Sequence, residues 1–110
     1  MFKEKYDVIV VGSGIGGLSC ASLLSKSGYR VLVLEQHKKV GGFCTSFEKE
    51  GFTFNIAVND ICGMRVGGPV NYLLTQLGMK VEDFFIRHRD RYFIPGKVID
   101  IPSNYDEFVN

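Results

Sequence analysis

The chain lacks an excess of either charge. Thirteen Lys and Arg stand against twelve Asp and Glu, for a net charge of +1. That balance gives no strong electrostatic preference for nucleic acid or an anionic membrane, so neither is expected as a partner. The one basic cluster, RHRDR at 87–91, is interrupted by Asp90 and reads as a solvated loop or strand end. Paired cysteines are also missing. Cys20, Cys44 and Cys62 are odd in number and far apart. Neither a CxxC dithiol nor a zinc knuckle is supported, no metal site is expected, and free thiols suit a reducing, cytoplasmic setting. Internal repeats and low-complexity linkers are absent. So is a true spanning segment. Residues 8–24, VIVVGSGIGGLSCASLL, carry no charge, but Gly12, Gly14, Gly16, Gly17 and three serines break the run. A spanning helix wants roughly 17–25 predominantly apolar residues, so no transmembrane helix is expected. The charged MFKEKYD before it gives only the outline of a leader.

What is present suits one small soluble domain. The chain has 110 residues, 45% hydrophobic and 23% charged, an ordinary globular balance. Residues 6–11, YDVIVV, are β-branched and almost continuously apolar, as in a parallel strand buried on both faces. From about Gly14 to Ser27 the pattern becomes helical. Gly17, Ala21, Leu24 and Gly28 share a face led by small residues, which lets the helix approach a sheet. Gly28 suits the C-terminal cap, and Cys20 is expected as a small core residue. YRVLVLE at 29–35 is a second buried strand ending in an acid. Strand, turn, helix and strand within 30 residues make a βαβ unit.

The turn inside that unit reads GxGxxG at Gly12, Gly14 and Gly17. Gly12 permits a sharp turn, Gly14 leaves the space of a pyrophosphate free, and Gly17 allows helix and sheet to touch. Amides at the helix start would then bind the diphosphate, with Ser13 in the same turn. Glu35 follows Gly17 by 18 residues. A carboxylate there can accept both hydroxyls of an adenosine ribose, and it repels the 2′-phosphate of NADP. These features point to a dinucleotide without deciding between NAD and FAD. After Glu35, QHKKVGGFCTS brings a second glycine pair, Gly41-Gly42, able to return to the phosphates, with Thr45 or Ser46 as hydroxyl donors. An NAD domain would run straight into its next helix.

Further along, GGFCTSFEKEGFTFN reads as a loop and strands joined near Lys49-Glu50-Gly51, and GGPVNYLLTQLGM as a helix from Pro69 to Gly78. KVEDFFI and RYFI read as strands, with Phe84, Phe85, Tyr92 and Phe93 as sheet core or the wall of an apolar tunnel. IPGKVIDIP places a hairpin turn at Pro95-Gly96, and SNYDEFVN opens a capped helix at Ser103 that the chain leaves unfinished. His37, His88, Asp60 and Arg65 carry no assigned chemistry: the histidines are expected in solvent or, for His37, near an adenine, and the other two away from the chemistry, with the lining of a substrate entrance as the alternative.

The stretch from Tyr6 to Asn55 resembles the N-terminus of FAD-dependent oxidoreductases of the phytoene desaturase, carotenoid isomerase and retinol saturase group, within the amine-oxidase-like flavoproteins. The likeness rests on GxGxxGL, Ala21, Gly28, Val31, Leu34-Glu35, Gly41-Gly42 and GFxF at Gly51–Phe54, and extends to DRYFIPGKVIDIPSNYDEF. It implies FAD as cofactor, held around Gly12, Ser13, Gly14, Gly17, Glu35, Gly41 and Gly42, with Lys38 or Lys39 near the adenine. It implies a small apolar substrate, such as a polyene that is desaturated, saturated or isomerised. Peripheral membrane association of the full-length protein is compatible with that substrate. GFTFNIA departs from the group's GFxFDxG at Asn55 and Ala57, and Phe43 and Cys44 stand where many members have Arg or Ser. Cys44 is expected as a buried inert thiol. The expected fold class is α/β: a Rossmann-like FAD-binding βαβ unit with its glycine loop over 1–60, then over 61–110 the start of an α+β substrate-side region, incomplete. The group's chains are several times longer, so this one is expected to be a fragment whose catalytic residues are unknown. The alternatives are a fragment of an amine-oxidase-like flavoenzyme and a non-catalytic nucleotide-binding piece.

Overall fold

The computed structural model describes residues 5–102. The chain divides into two compact units, one ending at Lys80 and one beginning at Val81.

The first unit opens with strand β1 (Val8–Val11), helix α1 (Ile15–Lys26) and strand β2 (Val31–Leu34). β1 and β2 pair in parallel, Val8 with Val31 through Val11 with Leu34. The parallel pairing is what the two β-branched runs separated by a helical segment require. At the mouth of the unit Asp7 and Arg30 lock the start of the ladder: Asp7 N–H donates to the Arg30 carbonyl at 2.8 Å, and Arg30 N–H to the Asp7 carboxylate at 2.8 Å. The Arg30 backbone N–H, then its guanidinium, hold the Asp7 carboxyl below its ordinary range.

α1 packs its small face on the sheet. Ala21 is buried, and Val8 and Val10 beneath the helix are half-buried. The helix ends in a Schellman motif. Gly28 has φ +92°, its N–H donates to the Ser25 carbonyl, and Tyr29 N–H reaches back to Leu24. The strand was expected to be buried on both faces, but Ile9 and Val11 are exposed, as is Leu34. Side chains alternate along a strand, and α1 covers only the face that Val8 and Val10 share. Cys20 is likewise exposed rather than in the core; it sits about 100° around the helix from Ala21.

Strands β3 (Ser46–Lys49) and β4 (Phe52–Asn55) form an antiparallel hairpin. Glu50 and Gly51 both have positive φ, which a two-residue hairpin loop of the primed type demands. Phe47 and Phe54 face each other across the ladder, their rings stacked at 5.3 Å. Helix α2 (Pro69–Gln76) starts on proline, where no N–H is needed, and closes with Gly78 in a second Schellman motif, Met79 N–H reaching Leu74. The Lys26 ammonium donates to the Gln76 carbonyl and so joins the ends of the two helices.

In the second unit the expected strand over KVEDFFI is instead a short 3₁₀ turn, Val81–Asp83, whose Val81 carbonyl accepts the N–H groups of Phe84 and Phe85. Local turn bonding satisfies that backbone without a ladder partner. Strands β5 (Asp90–Ile94) and β6 (Lys97–Ile101) form the expected hairpin about Pro95-Gly96. Proline supplies the fixed negative φ and Gly96 the positive one. The expected aromatic core is not formed. Phe84, Tyr92 and Phe93 are exposed and Phe85 half-buried, because a two-stranded hairpin offers no second layer within the unit. The basic run is solvated, as expected; His88 lies 3.3 Å from Asp90, and Arg91 pairs with Asp100 across the strands. The helix expected from Ser103 lies outside the described residues.

Candidate dinucleotide-binding site

Three segments converge where β1 hands over to α1. The three glycines of the first turn have three separate physical reasons. Gly12 has φ +95°, a conformation costly for any other residue. Gly17 is ruled by contact: a Cβ there would overlap the Gly12 carbonyl oxygen and lie 3.4 Å from Val10 Cγ1. Gly14 has neither constraint. Its φ of −66° and ψ of 173° suit any residue, and a Cβ on it meets no described atom within 4 Å. Gly14 is also the N-cap of α1, makes no side-chain cap, and is followed by a first turn without an acidic residue. The first N–H groups of the helix have no intrahelical acceptor, so the turn presents donors and the positive end of the helix dipole to the open space beside Gly14.

The second segment is the exit of β2. Glu35 lies 22 residues from Ser13 in sequence and is bound to it twice. Oε2 accepts the Ser13 backbone N–H at 2.8 Å and the Ser13 hydroxyl. Oε1 accepts the His37 N–H at 2.8 Å. These bonds, the Ser13 hydroxyl first, hold the Glu35 carboxyl down at about 2 against the opposing effect of burial. Glu35 is therefore a fixed carboxylate at neutral pH.

The third segment is the glycine pair. Gly41 N–H donates to the Ser13 carbonyl at 2.9 Å, and Gly41 forms a parallel bridge with Gly14. A Cβ on Gly42 would sit 3.1 Å from the Gly14 Cα. The second glycine loop thus lies directly on the first turn. Gly41 itself has φ +111°. Lys39 is turned away from this convergence to the start of β3, its ammonium 2.9 Å from the Ser46 carbonyl. The His37 ring is exposed, with Nδ1 3.2 Å from the Lys39 amide nitrogen. Cys44 is exposed, not a buried thiol. Asp60 and Arg65 lie exposed in the irregular segment before α2.

Of the residues expected at a cofactor, Gly12, Ser13, Gly14, Gly17, Glu35, Gly41 and Gly42 come together, and Lys39 does not point into the group. Sequence reasoning missed that Ser13 bonds Glu35. It also missed the main-chain N–H of His37, which acts here while the imidazole does not. Spacing alone signals neither. No cluster of three or more potential metal ligands occurs among the described residues.

Residues 10–77 match the model of the NAD(P)-binding Rossmann-like domain. The chain belongs to that family. Its similar proteins include the human all-trans-retinol 13,14-reductase, 49% identical over 74 residues, covering 67% of this chain and 12% of that protein. The chloroplastic prolycopene isomerase of Daucus carota is 34% identical, covering 96% of this chain and 18% of the isomerase. These relatives fall in the carotenoid and retinol oxidoreductase group that the motifs resemble. The chain thus spans less than a fifth of the length of either curated relative. Among solved structures, an oxidoreductase from Methanosarcina mazei superimposes with a TM-score of 0.61 at 24% identity, over 92% of this chain and 25% of that one. That likeness supports the Rossmann-like α/β fold. No helix among the described residues is long and apolar enough to cross a membrane.

Proposed function

We propose that this chain is the FAD-binding portion of a flavin-dependent oxidoreductase that reduces, desaturates or isomerises an apolar polyene. The observation that carries the reading is Gly14. Neither the backbone at that position nor any described atom within 4 Å of a Cβ there accounts for a glycine, and the space it leaves open lies where a diphosphate would rest. An uncapped helix start and a fixed carboxylate flank the same space. A diphosphate fits the first and an adenosine ribose the second.

FAD is favoured over NAD by the second glycine loop, which packs on the first turn in place of an immediate helix. Amides around Gly14 and Gly42 would hold the diphosphate and Glu35 the ribose. The flavin would supply hydride transfer; the residues described here bind and orient the nucleotide end. The substrate class follows from the relatives, one named for all-trans-retinol and one for prolycopene. Contact of the whole protein with a membrane periphery would suit such a substrate.

Protein purified with added FAD and passed through gel filtration should keep a flavin absorption spectrum. Protein that sheds FAD but retains NAD would reverse the cofactor choice.

A further inference from the structure

Ser13 is completely inaccessible to solvent, and each of its polar groups already has a partner. Its N–H and hydroxyl go to Glu35 Oε2, and its carbonyl accepts Gly41 N–H. A hydroxyl so placed does not reach a phosphate in the open space beside Gly14. We infer that Ser13 is a positioning residue that holds the Glu35 carboxylate toward the ribose and ties it to the second glycine loop, and is not itself a phosphate ligand.

This inference rests on the dinucleotide reading of the site. A carboxylate has about four acceptor positions. Ser13 fills two on Oε2 and the His37 amide one on Oε1. Rotation of the Glu35 side chain is thereby restrained from both sides, from the β1–α1 turn and from the β2 exit. What remains is an acceptor aimed from a fixed oxygen. Such pre-set geometry lowers the ordering cost of binding. The His37 ring lies against the Lys39 backbone and the Lys39 ammonium against Ser46. The Ser13 hydroxyl, then the His37 N–H, are the largest influences keeping Glu35 ionised.

The test is a double-mutant cycle in the 110-residue chain, with ADP-ribose as the probe because it carries the adenosine ribose and diphosphate without a flavin. Ser13→Ala should weaken binding about tenfold at pH 7, the scale of a hydrogen bond to a charged group. In a Glu35→Gln background the same change should cost less than about twofold, since the partner it acts through is altered. An equal loss in both backgrounds overturns the inference. A second readout needs no ligand: in carboxyl ¹³C NMR, Glu35 should titrate near pH 2 in the parent and nearer its ordinary value in Ser13→Ala. Should Ser13→Ala not fold, the parent alone decides, and an ordinary Glu35 titration there contradicts the inference. Coupling seen by NMR in a chain that ignores ADP-ribose would remove the dinucleotide reading while leaving the Ser13–Glu35 link intact.

Discussion

Gly17 rests directly on the carbonyl of Gly12, with no room for a Cβ between helix and turn. The contact brings the N-terminus of α1 against β1 and so aims its free amides at the space beside Gly14. Gly17→Ala should therefore destabilise the first unit by about 1–3 kcal/mol, the range for forced overpacking. Urea unfolding followed by circular dichroism measures it. A variant as stable as the parent would mean that the helix start can shift without penalty.

Gly28 answers to conformation and not to contact. A Cβ there meets nothing within 4 Å, but φ is +92°. Gly28→Ala should cost about 1 kcal/mol through the αL-side backbone alone, with ADP-ribose affinity unchanged. Loss of affinity without loss of stability would contradict the separation of cap from site.

Acid should weaken the fold in a defined window. The Glu35 carboxyl is lowered from 4.5 to about 2 in the folded chain, and those of Asp7 and Asp100 are lowered as well. A lowered folded value means that the unfolded chain binds more protons as pH drops. The stabilisation from Glu35 is complete above about 4.5 and is lost as pH falls toward 2. Urea midpoints at pH 6, 4.5, 3.5 and 2.5 should decline only over the lower range, and Glu35→Gln should flatten that decline. An unchanged slope in Glu35→Gln would assign the acid sensitivity elsewhere.

Much of this architecture is legible in the sequence, for reasons that differ by element. The βαβ unit is local: β-branched runs, a small-residue helix face and Gly28 fix it within 30 residues. The turns at Glu50-Gly51 and Pro95-Gly96 are equally local, since each holds a glycine at a position of positive φ. Burial was less legible. Cys20, Val11 and Phe93 are apolar enough for a core, yet their exposure depends on which layers lie nearby, and hydrophobicity does not specify that. KVEDFFI has the composition of a strand but finds its hydrogen bonds within a turn. In the site, Gly14 and Glu35 stand out by spacing. The Ser13–Glu35 link does not, because it joins residues 22 apart through a side-chain rotamer.

The decisive measurement for a diphosphate beside Gly14 is the ADP-ribose affinity of Gly14→Val by calorimetry, alongside its thermal unfolding. The backbone at Gly14 suits any residue and a Cβ there meets no described atom within 4 Å, so the variant should fold with a stability change of about 1 kcal/mol. Binding should fall at least about a hundredfold, the loss expected when a side chain takes the volume of the diphosphate. A folded Gly14→Val that binds ADP-ribose as the parent does would contradict the account.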